Sequence, residues 1–247
     1  MPEQNKAQWK LNAIENNRLG PGDRFRFECD KCGACCRNQD GLIMGPLDIC
    51  RMAKYLRITP QKWVERYCTV HIGDSSRLPV VRIRMEGPDR RCPFLERNLC
   101  SVQEAKPGIC AIYPLGRSAK YNADGKGGSE VLYFHNGSAC GGTGATHTAR
   151  EWLAQHGLDG QEGYFLAWTR LVMEASGFMT ELEKTTASQK VMQMAWNMAL
   201  SLLYLEYDTG KGFQAQFEAN AQKLKGHTEK IKELGGGLWQ KNKTGTR

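Results

Sequence analysis

The segment of the chain best suited to chemistry holds four cysteines within eight residues, CDKCGACC, at positions Cys29, Cys32, Cys35 and Cys36. A loop this short, with Gly33 inside it, can turn several sulfurs toward one centre, as zinc or an iron-sulfur cluster requires. Thiols at this density are rarely explained by packing. The segment therefore predicts a metal site.

Four further cysteines are candidate ligands for the same site. They occur in RCPFLERNLCSVQEAKPGICAIYPLG and in ACGGTG, at Cys92, Cys100, Cys110 and Cys140. The first motif has the C-x2-C-x2-C spacing with which bacterial ferredoxins ligate an iron-sulfur cluster. Zinc sites commonly add a second C-x2-C, which the second run does not have. The spacing favours an iron-sulfur cluster of the 4Fe-4S type, with zinc as the alternative.

The number of thiols allows two metal centres. Eight thiolates suffice for two four-cysteine sites, and we expect the adjacent side chains of Cys35 and Cys36 to point apart, so that one loop supplies both sites. The remaining cysteines, Cys50 and Cys68, fall at core positions of predicted helices. Buried free cysteine behaves as a small hydrophobe, so we predict that these two do not bind metal.

The redox compartment decides between metal ligands and disulfides. The N-terminal residues MPEQNKAQWKLNAIENNR contain no basic leader followed by an apolar stretch, so no secretory signal is recognised. We therefore expect a cytoplasmic protein, in which clustered cysteines are more often metal ligands or redox thiols than disulfides.

The positive charge is concentrated away from the cysteines. The net charge is +8, and residues 209–247 carry eight basic and three acidic residues, hence +5 of that total. Nucleic-acid binding usually places basic and aromatic residues on the functional element itself. We therefore predict a solvated basic tail and no nucleic-acid partner.

Hydrophobic periodicity predicts an α+β fold that is mostly helical, in which a small β-sheet or hairpin with metal-bound loops precedes a C-terminal helical region. Strands are predicted at residues 24–27, 79–85 and 131–135, the last two forming a sheet around the second cysteine run. Helices are predicted at 46–56, 60–68, 148–156, 162–176 and 180–207, with a last amphipathic helix marked by Phe213, Phe217, Leu224, Ile231 and Leu234.

This pattern divides the chain into four consecutive parts: a polar arm at 1–24, a cysteine-cluster domain at 25–145, a helical region packing on it at 146–235, and a disordered tail at 236–247. The apolar sequence VMQMAWNMALSLLYLEY is shorter than a bilayer requires and carries a polar stripe, so no membrane span is predicted. The last amphipathic helix is a candidate surface for a protein partner.

Two weaker motifs flank Cys140. The glycines of Gly141-Gly142-Thr143-Gly144 indicate a turn where Cys140 approaches a metal, or alternatively a phosphate cradle at a helix N-terminus. His135 and His147 are more typical of surface or supporting positions than of ligands. No Ser-His-Asp or paired-carboxylate pattern is recognisable, so no catalytic residue is predicted.

CDKCGACC, followed by GPLDICRMAKYL, CPFLERNLCSVQEAKPGICAIYPLG and ACGG, resembles the YkgJ-type cysteine-cluster proteins, the CxxCxxCC family described as chelating zinc or iron. The resemblance extends over about residues 27–144 and implies that the eight cysteines of these motifs are the ligands. One departure is Ala111, where the family usually has arginine.

The resemblance leaves three function classes open. The residues favour an iron-sulfur protein with a redox or electron-transfer role. A zinc protein whose metal holds a domain together and whose helices bind a partner is the alternative. The same cysteine pattern occurs in flagellin lysine N-methylases, which are longer, so a protein-modifying enzyme is the third class.

Overall fold

The structure, a computed structural model, describes residues 12, 14–39, 41–121, 128–137, 140–186 and 188–234. The predicted tail at 236–247, most of the first half of the predicted arm and the central part of the loop YNADGKGGSE lie outside these ranges. The chain divides into two compact units: unit 1 is Met1–Gln39 with Met85–Thr169, and unit 2 is Asp40–Arg84 with Arg170–Arg247. The units alternate along the chain, and the domain boundaries expected from the sequence stay a prediction.

The described residues confirm the α+β class with a C-terminal helical region. The strands are β1 (Arg18–Leu19), β2 (Arg24–Glu28), β3 (Cys68–Ile72), β4 (Pro79–Ile83), β5 (Leu95–Glu96), β6 (Leu99–Cys100), β7 (Leu115–Lys120), β8 (Glu130–His135) and β9 (Gly142–Thr148). The helices are α1 (Pro46–Tyr55), α2 (Pro60–Tyr67), α3 (Gly108–Ala111), α4 (Ala149–Gln155), α5 (Glu162–Thr185), α6 (Gln189–Leu200) and α7 (Phe213–Leu234). Short 3-10 turns lie at Ala34–Cys36 and Gln103–Ala105, and a π-helical turn at Ser201–Leu205 extends α6.

Unit 1 contains antiparallel strands around an aromatic core. Its strands pair in the order β1-β8-β7, β2 with β9, and β5 with β6. The core cluster packs Phe25 and Phe27 of β2 against Trp152 of α4, with ring centroids 5.7 Å apart in both pairs. The indole nitrogen of Trp152 donates to the carbonyl of Ile112 (3.1 Å), which satisfies its buried polar atom. This core fixes the end of β2, where the first cysteine motif begins.

Unit 2 has a larger apolar core made by helices and one hairpin. Met44, Ile49, Met52 and Trp63 are fully buried there. Helices α1 and α2 begin as their sequences predict: Pro46 and Pro60 occupy first-turn positions, where no N–H is needed, and the Thr59 hydroxyl accepts from the N–H of Lys62 at 3.2 Å.

The predicted sheet around the second cysteine run is wrong. The two strands exist, but β4 pairs with β3 in unit 2, and β8 pairs with β7 and β1 in unit 1. Strand β3 was missed although CTVHI alternates apolar Cys68, Val70 and Ile72 with polar Thr69 and His71, and only the first of these residues is buried. Cys68 therefore begins a strand instead of lying within α2.

The predicted break between the second and third C-terminal helices is misplaced. Helix α5 continues through Gly177 to Thr185, and α6 begins at Gln189 with the Ser188 hydroxyl accepting from the N–H of Val191 (3.4 Å). Buried residues on both sides of the glycine, such as Ala175 and Phe178, keep the helix packed. Tertiary packing outweighs the about 1 kcal/mol by which glycine disfavours a helix interior.

The last amphipathic helix is confirmed as α7. Phe217 and Leu224 are buried, and the side-chain amide of Asn220 donates to the carbonyl of Glu206 (2.8 Å). The apolar face of α7 thus packs within unit 2. Among the described residues, no helix combines the length and apolar character that a bilayer span requires.

Candidate metal centre

The first cysteine motif is a tight loop that leaves the end of β2. The carboxylate of Asp30 accepts from the N–H of Cys32 (3.2 Å), and the N–H of Cys36 donates to the carbonyl of Gly33 (3.1 Å). Gly33 has φ +70°, and a Cβ there would lie 2.6 Å from Nη1 of Arg37. The positive φ would strain any other residue at position 33, and a Cβ would also displace the end of the Arg37 side chain, so glycine shapes this loop.

The second cysteine run is brought against the first by backbone pairing. The N–H of Cys92 donates to the carbonyl of Cys36 (2.8 Å), and the N–H of Asn38 donates to the carbonyl of Arg90 (2.9 Å). Cys100 lies on β6, opposite Leu95 of β5. Residues separated by more than fifty positions in sequence therefore meet at one place.

Arg37 reinforces this junction, and the sequence reasoning missed it. Its guanidinium donates to the carbonyl of Gly33 (3.1 Å) and to the side-chain oxygen of Asn98 (3.0 Å), at the turn between β5 and β6. A cation directly after four cysteines was the available signal, because it can offset thiolate charge.

Four thiols form a first set, which we call the inner group: Cys35, Cys36, Cys92 and Cys100. The sulfurs of Cys35 and Cys36 are 3.9 Å apart. In every pair within the group, one thiol shifts the pKa of another. The expectation that Cys35 and Cys36 point apart is wrong, because the 3-10 turn holds both sulfurs on one side.

The four thiols of the inner group differ in pKa. A hydrogen bond from the Cys36 thiol lowers the pKa of Cys35 to about 6, and the same bond raises the pKa of Cys36. Burial raises the pKa of Cys92 to about 11 and raises the pKa of Cys100. The positive charge of Lys106 lowers the pKa of both Cys35 and Cys100.

Backbone N–H groups are aimed at three of the predicted ligands. The donor lies two residues beyond each cysteine, and its hydrogen bond lowers the thiol pKa: Ala34 for Cys32, Phe94 for Cys92 and Val102 for Cys100. Such bonds favour the charged thiolate, which is the form that binds metal.

A second set, the outer group, consists of Asp30, Cys32 and Cys140. Their ligand atoms all lie within 4.8 Å of one another. Hydrogen bonding to Cys32 lowers the pKa of Asp30, with a further contribution from the N–H of Gly141. The N–H of Ala34 lowers the pKa of Cys32, but Asp30, desolvation and Cys140 together raise it. Asp30 was not predicted, although its carboxylate lies inside the cysteine motif and is itself a metal-ligating group.

The backbone conformation of Gly141 lets Cys140 lie close to Asp30 and Cys32. Gly141 has φ +93°, and a Cβ there would lie 2.3 Å from Cε2 of Phe27. The hydroxyl of Tyr113 lies 3.6 Å from the Cys140 sulfur, within hydrogen-bonding distance for sulfur. The glycines that follow belong to β9, and α4 begins only at Ala149, so the alternative of a phosphate cradle at a helix N-terminus is wrong.

The two histidines near Cys140 have backbone partners. Nε2 of His147 donates to the carbonyl of Phe27 (3.0 Å), and Nδ1 of His135 accepts from the N–H of Gly137 (3.1 Å). His147 also packs beside Trp152, with ring centroids 4.8 Å apart. His147 thus supports the end of β2, and His135 supports the turn at Gly137.

The remaining cysteines differ in their surroundings. Cys29 is exposed beside Asp30, and Cys110 is half-buried in α3; neither belongs to the two groups as defined. Cys50 and Cys68 are buried in unit 2, where burial raises the pKa of both, that of Cys68 to about 12. The eight predicted ligands all belong to unit 1.

Residues 28–127 match the family model described as "CxxCxxCC: Putative zinc- or iron-chelating domain". The resemblance to this family is confirmed. The matched segment contains each predicted ligand except Cys140. Comparison with curated proteins found no match, and neither did comparison with solved structures.

The donor set fits the metals named in that description. Thiolate sulfur is a common ligand of both zinc and iron-sulfur clusters, and the inner group consists of thiols alone. The outer group adds a carboxylate, which zinc also accepts. The segment that matches this family model therefore carries the donor atoms that chelation of zinc or iron requires.

Proposed function

We propose that the protein binds zinc in unit 1 and that the inner group forms a closed four-thiolate site. The observation that supports this most strongly is the 3.9 Å separation between the sulfurs of Cys35 and Cys36. Zn–S bonds of about 2.3 Å place two sulfurs of a tetrahedral site about 3.8 Å apart. The four thiols shift one another's pKa values, so they lie near one another. Among the described residues, however, only the outer group has three ligand atoms within 4.8 Å of one another, so the inner thiols would have to draw together around the ion.

The role of this zinc is structural. A site with four protein sulfurs has no open position for substrate, and its binding free energy contributes to folding. The ligands come from a loop and from a hairpin of two-residue strands, which have little secondary structure of their own. Thiolate ligation would hold these segments in place.

The outer group is proposed as a second centre that also uses Cys29 and Cys110. Cys29 directly precedes Asp30, and Cys110 lies three residues before Tyr113, whose hydroxyl contacts Cys140. Because Asp30 and Cys32 are exposed, a metal here would exchange more readily than one in the inner group. All eight predicted cysteines thus remain proposed ligands.

An iron-sulfur cluster with a redox or electron-transfer role is the second candidate. The C-x2-C-x2-C spacing supports it, as in bacterial ferredoxins. In a 4Fe-4S cluster, however, each cysteine ligates a different iron, so its sulfurs are separated by the width of the cluster. The close sulfurs of Cys35 and Cys36 therefore favour a single ion at the inner group.

Metal analysis of protein purified without oxygen tests the proposal. We expect zinc, no acid-labile sulfide and no broad visible absorption, because zinc thiolates are colourless. Cys92→Ser should remove the tightly held zinc, whereas Cys32→Ser should remove only the more labile zinc. Iron with acid-labile sulfide and visible absorption would overturn the zinc proposal in favour of the cluster.

A further inference from the structure

A cleft in unit 2 lies where helix α1 ends and helix α2 begins. Its volume is about 440 Å³, within the range of small-molecule sites. Three cationic side chains line it, those of Lys54, Arg57 and Lys62. The other lining residues are Ile58, Thr59, Thr209 and Gly210. No acidic residue is among the described residues that line it.

These three cations have no carboxylate partner within the part of the chain that the structure describes. The acidic residue Asp208, which directly precedes Thr209 in the cleft lining, already has partners of its own. Its carboxylate accepts from the N–H of Gly210 (2.9 Å) and pairs with Lys211 (3.3 Å). The cleft therefore presents positive charge that the protein itself does not neutralise.

Arg57 occupies a backbone position that glycine would suit better. It has φ +55° and follows the C-cap of α1; its N–H donates to the carbonyl of Lys54 (3.1 Å), and the N–H of Ile58 donates to the carbonyl of Ala53 (3.0 Å). This pair of hydrogen bonds is the Schellman ending, in which glycine is usual because an L side chain is strained there. An arginine at this position costs stability, as at Arg77, Arg90 and Arg97, which also have positive φ, so the case for the cleft depends on its lining charges.

The first turn of α2 adds to the positive potential. Its positive dipole end faces the cleft lining at Thr59, whose hydroxyl accepts from Lys62 N–H and keeps its own proton to donate. Arginine can bind two phosphate oxygens at once, and lysine contributes a point charge. Ile58, which is partly exposed, offers an apolar contact beside these groups.

We propose that this cleft binds a small molecule bearing a diphosphate group, such as a nucleoside diphosphate. Three cations match the charge of a diphosphate, and the volume leaves space for an organic part against Ile58. The site lies wholly within unit 2 and is independent of the proposed zinc function in unit 1.

Calorimetric titration of the full-length, metal-loaded protein with inorganic pyrophosphate and with ADP tests the site. Arg57→Gly should weaken binding about tenfold or more and at the same time raise the melting temperature, because glycine relieves the backbone strain. Lys62→Gln should weaken binding without that rise. The matched control is Lys230→Gln on α7, which removes one exposed positive charge elsewhere in unit 2 and should change neither property.

Four outcomes would overturn the proposal. One is the absence of pyrophosphate and ADP binding at low ionic strength. Another is equal weakening by Lys230→Gln, which would assign binding to net charge. The third is competition by sulfate as strong as that by pyrophosphate, which would reduce the site to a counterion contact. Metal content is measured after each titration, and metal loss in parallel with the heat signal would assign that signal to chelation and also reject the site.

Discussion

Cys92 in unit 1 and Cys68 in unit 2 are almost equally buried, with 8 % and 4 % of their surfaces exposed, yet their surroundings differ. Cys92 faces other thiols and accepts a hydrogen bond from the N–H of Phe94. At Cys68 burial raises the pKa, and Arg84 opposes this only in part. Burial alone therefore does not separate the proposed ligand Cys92 from the core residue Cys68; neighbouring thiols and aimed N–H groups do.

The two units also differ in what orders them. Unit 2 buries large side chains such as Trp63 and Met179 completely between helices. In unit 1 the cysteines lie on loops, short turns, the four-residue helix α3 and a hairpin of two-residue strands, beside a separate aromatic core. Metal binding should therefore matter for the order of the cysteine segments and hardly at all for unit 2.

The largest expected effect is that of metal removal. If the proposed metal binds, chelation should unfold the segments around CDKCGACC and β5–β6, because ligation would supply much of their folding free energy, while the helices of unit 2 remain folded. Hydrogen exchange measured with and without chelator tests this. Loss of amide protection at residues 86–110 with retained protection in α1 and α6 is the expected pattern. Equal protection of residues 86–110 in the apo and metal-bound forms would show that the metal is an accessory.

The two similarly buried cysteines provide a matched pair of variants. Cys92→Ser should abolish metal binding at the inner group and lower the melting temperature. Cys68→Ser should leave the metal content unchanged and lower the free energy of unfolding by about 1–2 kcal/mol, because a hydroxyl is buried in an apolar site. Metal stoichiometry and thermal unfolding are measured for both. Metal loss in Cys68→Ser without unfolding would remove the distinction between the units.

The pH dependence of metal affinity sharpens the comparison further. Near pH 7.5 the pKa of about 6 leaves Cys35 ionised, whereas the raised pKa values of Cys36, Cys92 and Cys100 keep these thiols protonated. Metal binding at the inner group should release about three protons, so metal affinity falls as the pH is lowered. For each pH unit, the affinity should fall about tenfold for every proton released. Calorimetry in buffers of different ionisation enthalpy counts the protons. Release of no protons would contradict the assignment of these thiols.

The smallest expected effect is that of a change in loop geometry. Gly33→Ala should cost about 1–2 kcal/mol, because alanine is strained at positive φ, and it also crowds Arg37. Metal affinity should fall with it, by about tenfold. Gly22→Ala, also in unit 1 and open around its Cβ position, is the control and should bind metal normally. Equal metal affinity in both variants would show that the turn does not position the sulfurs.

Elements with a clear period were predictable from the sequence, and those defined by distant pairing were not. Strand β2 alternates and was found, but its partner β9, GTGATHT, shows no alternation and was interpreted as a turn. The eight cysteines were recognisable by type and spacing. Their grouping was not, because it depends on the backbone of Gly33 and on the hydrogen bond between Cys92 and Cys36.

The backbone pairing of residues 36–38 with 90–92 has a consequence for how this chain can vary. The polypeptide leaves unit 1 and returns to it between two adjacent, hydrogen-bonded stretches. The entropy of closing a loop rises only with the logarithm of its length, so segments of very different size can be inserted there without altering the ligand geometry. The number of residues between the two cysteine runs should therefore vary among related chains, while the spacing within CDKCGACC stays constant.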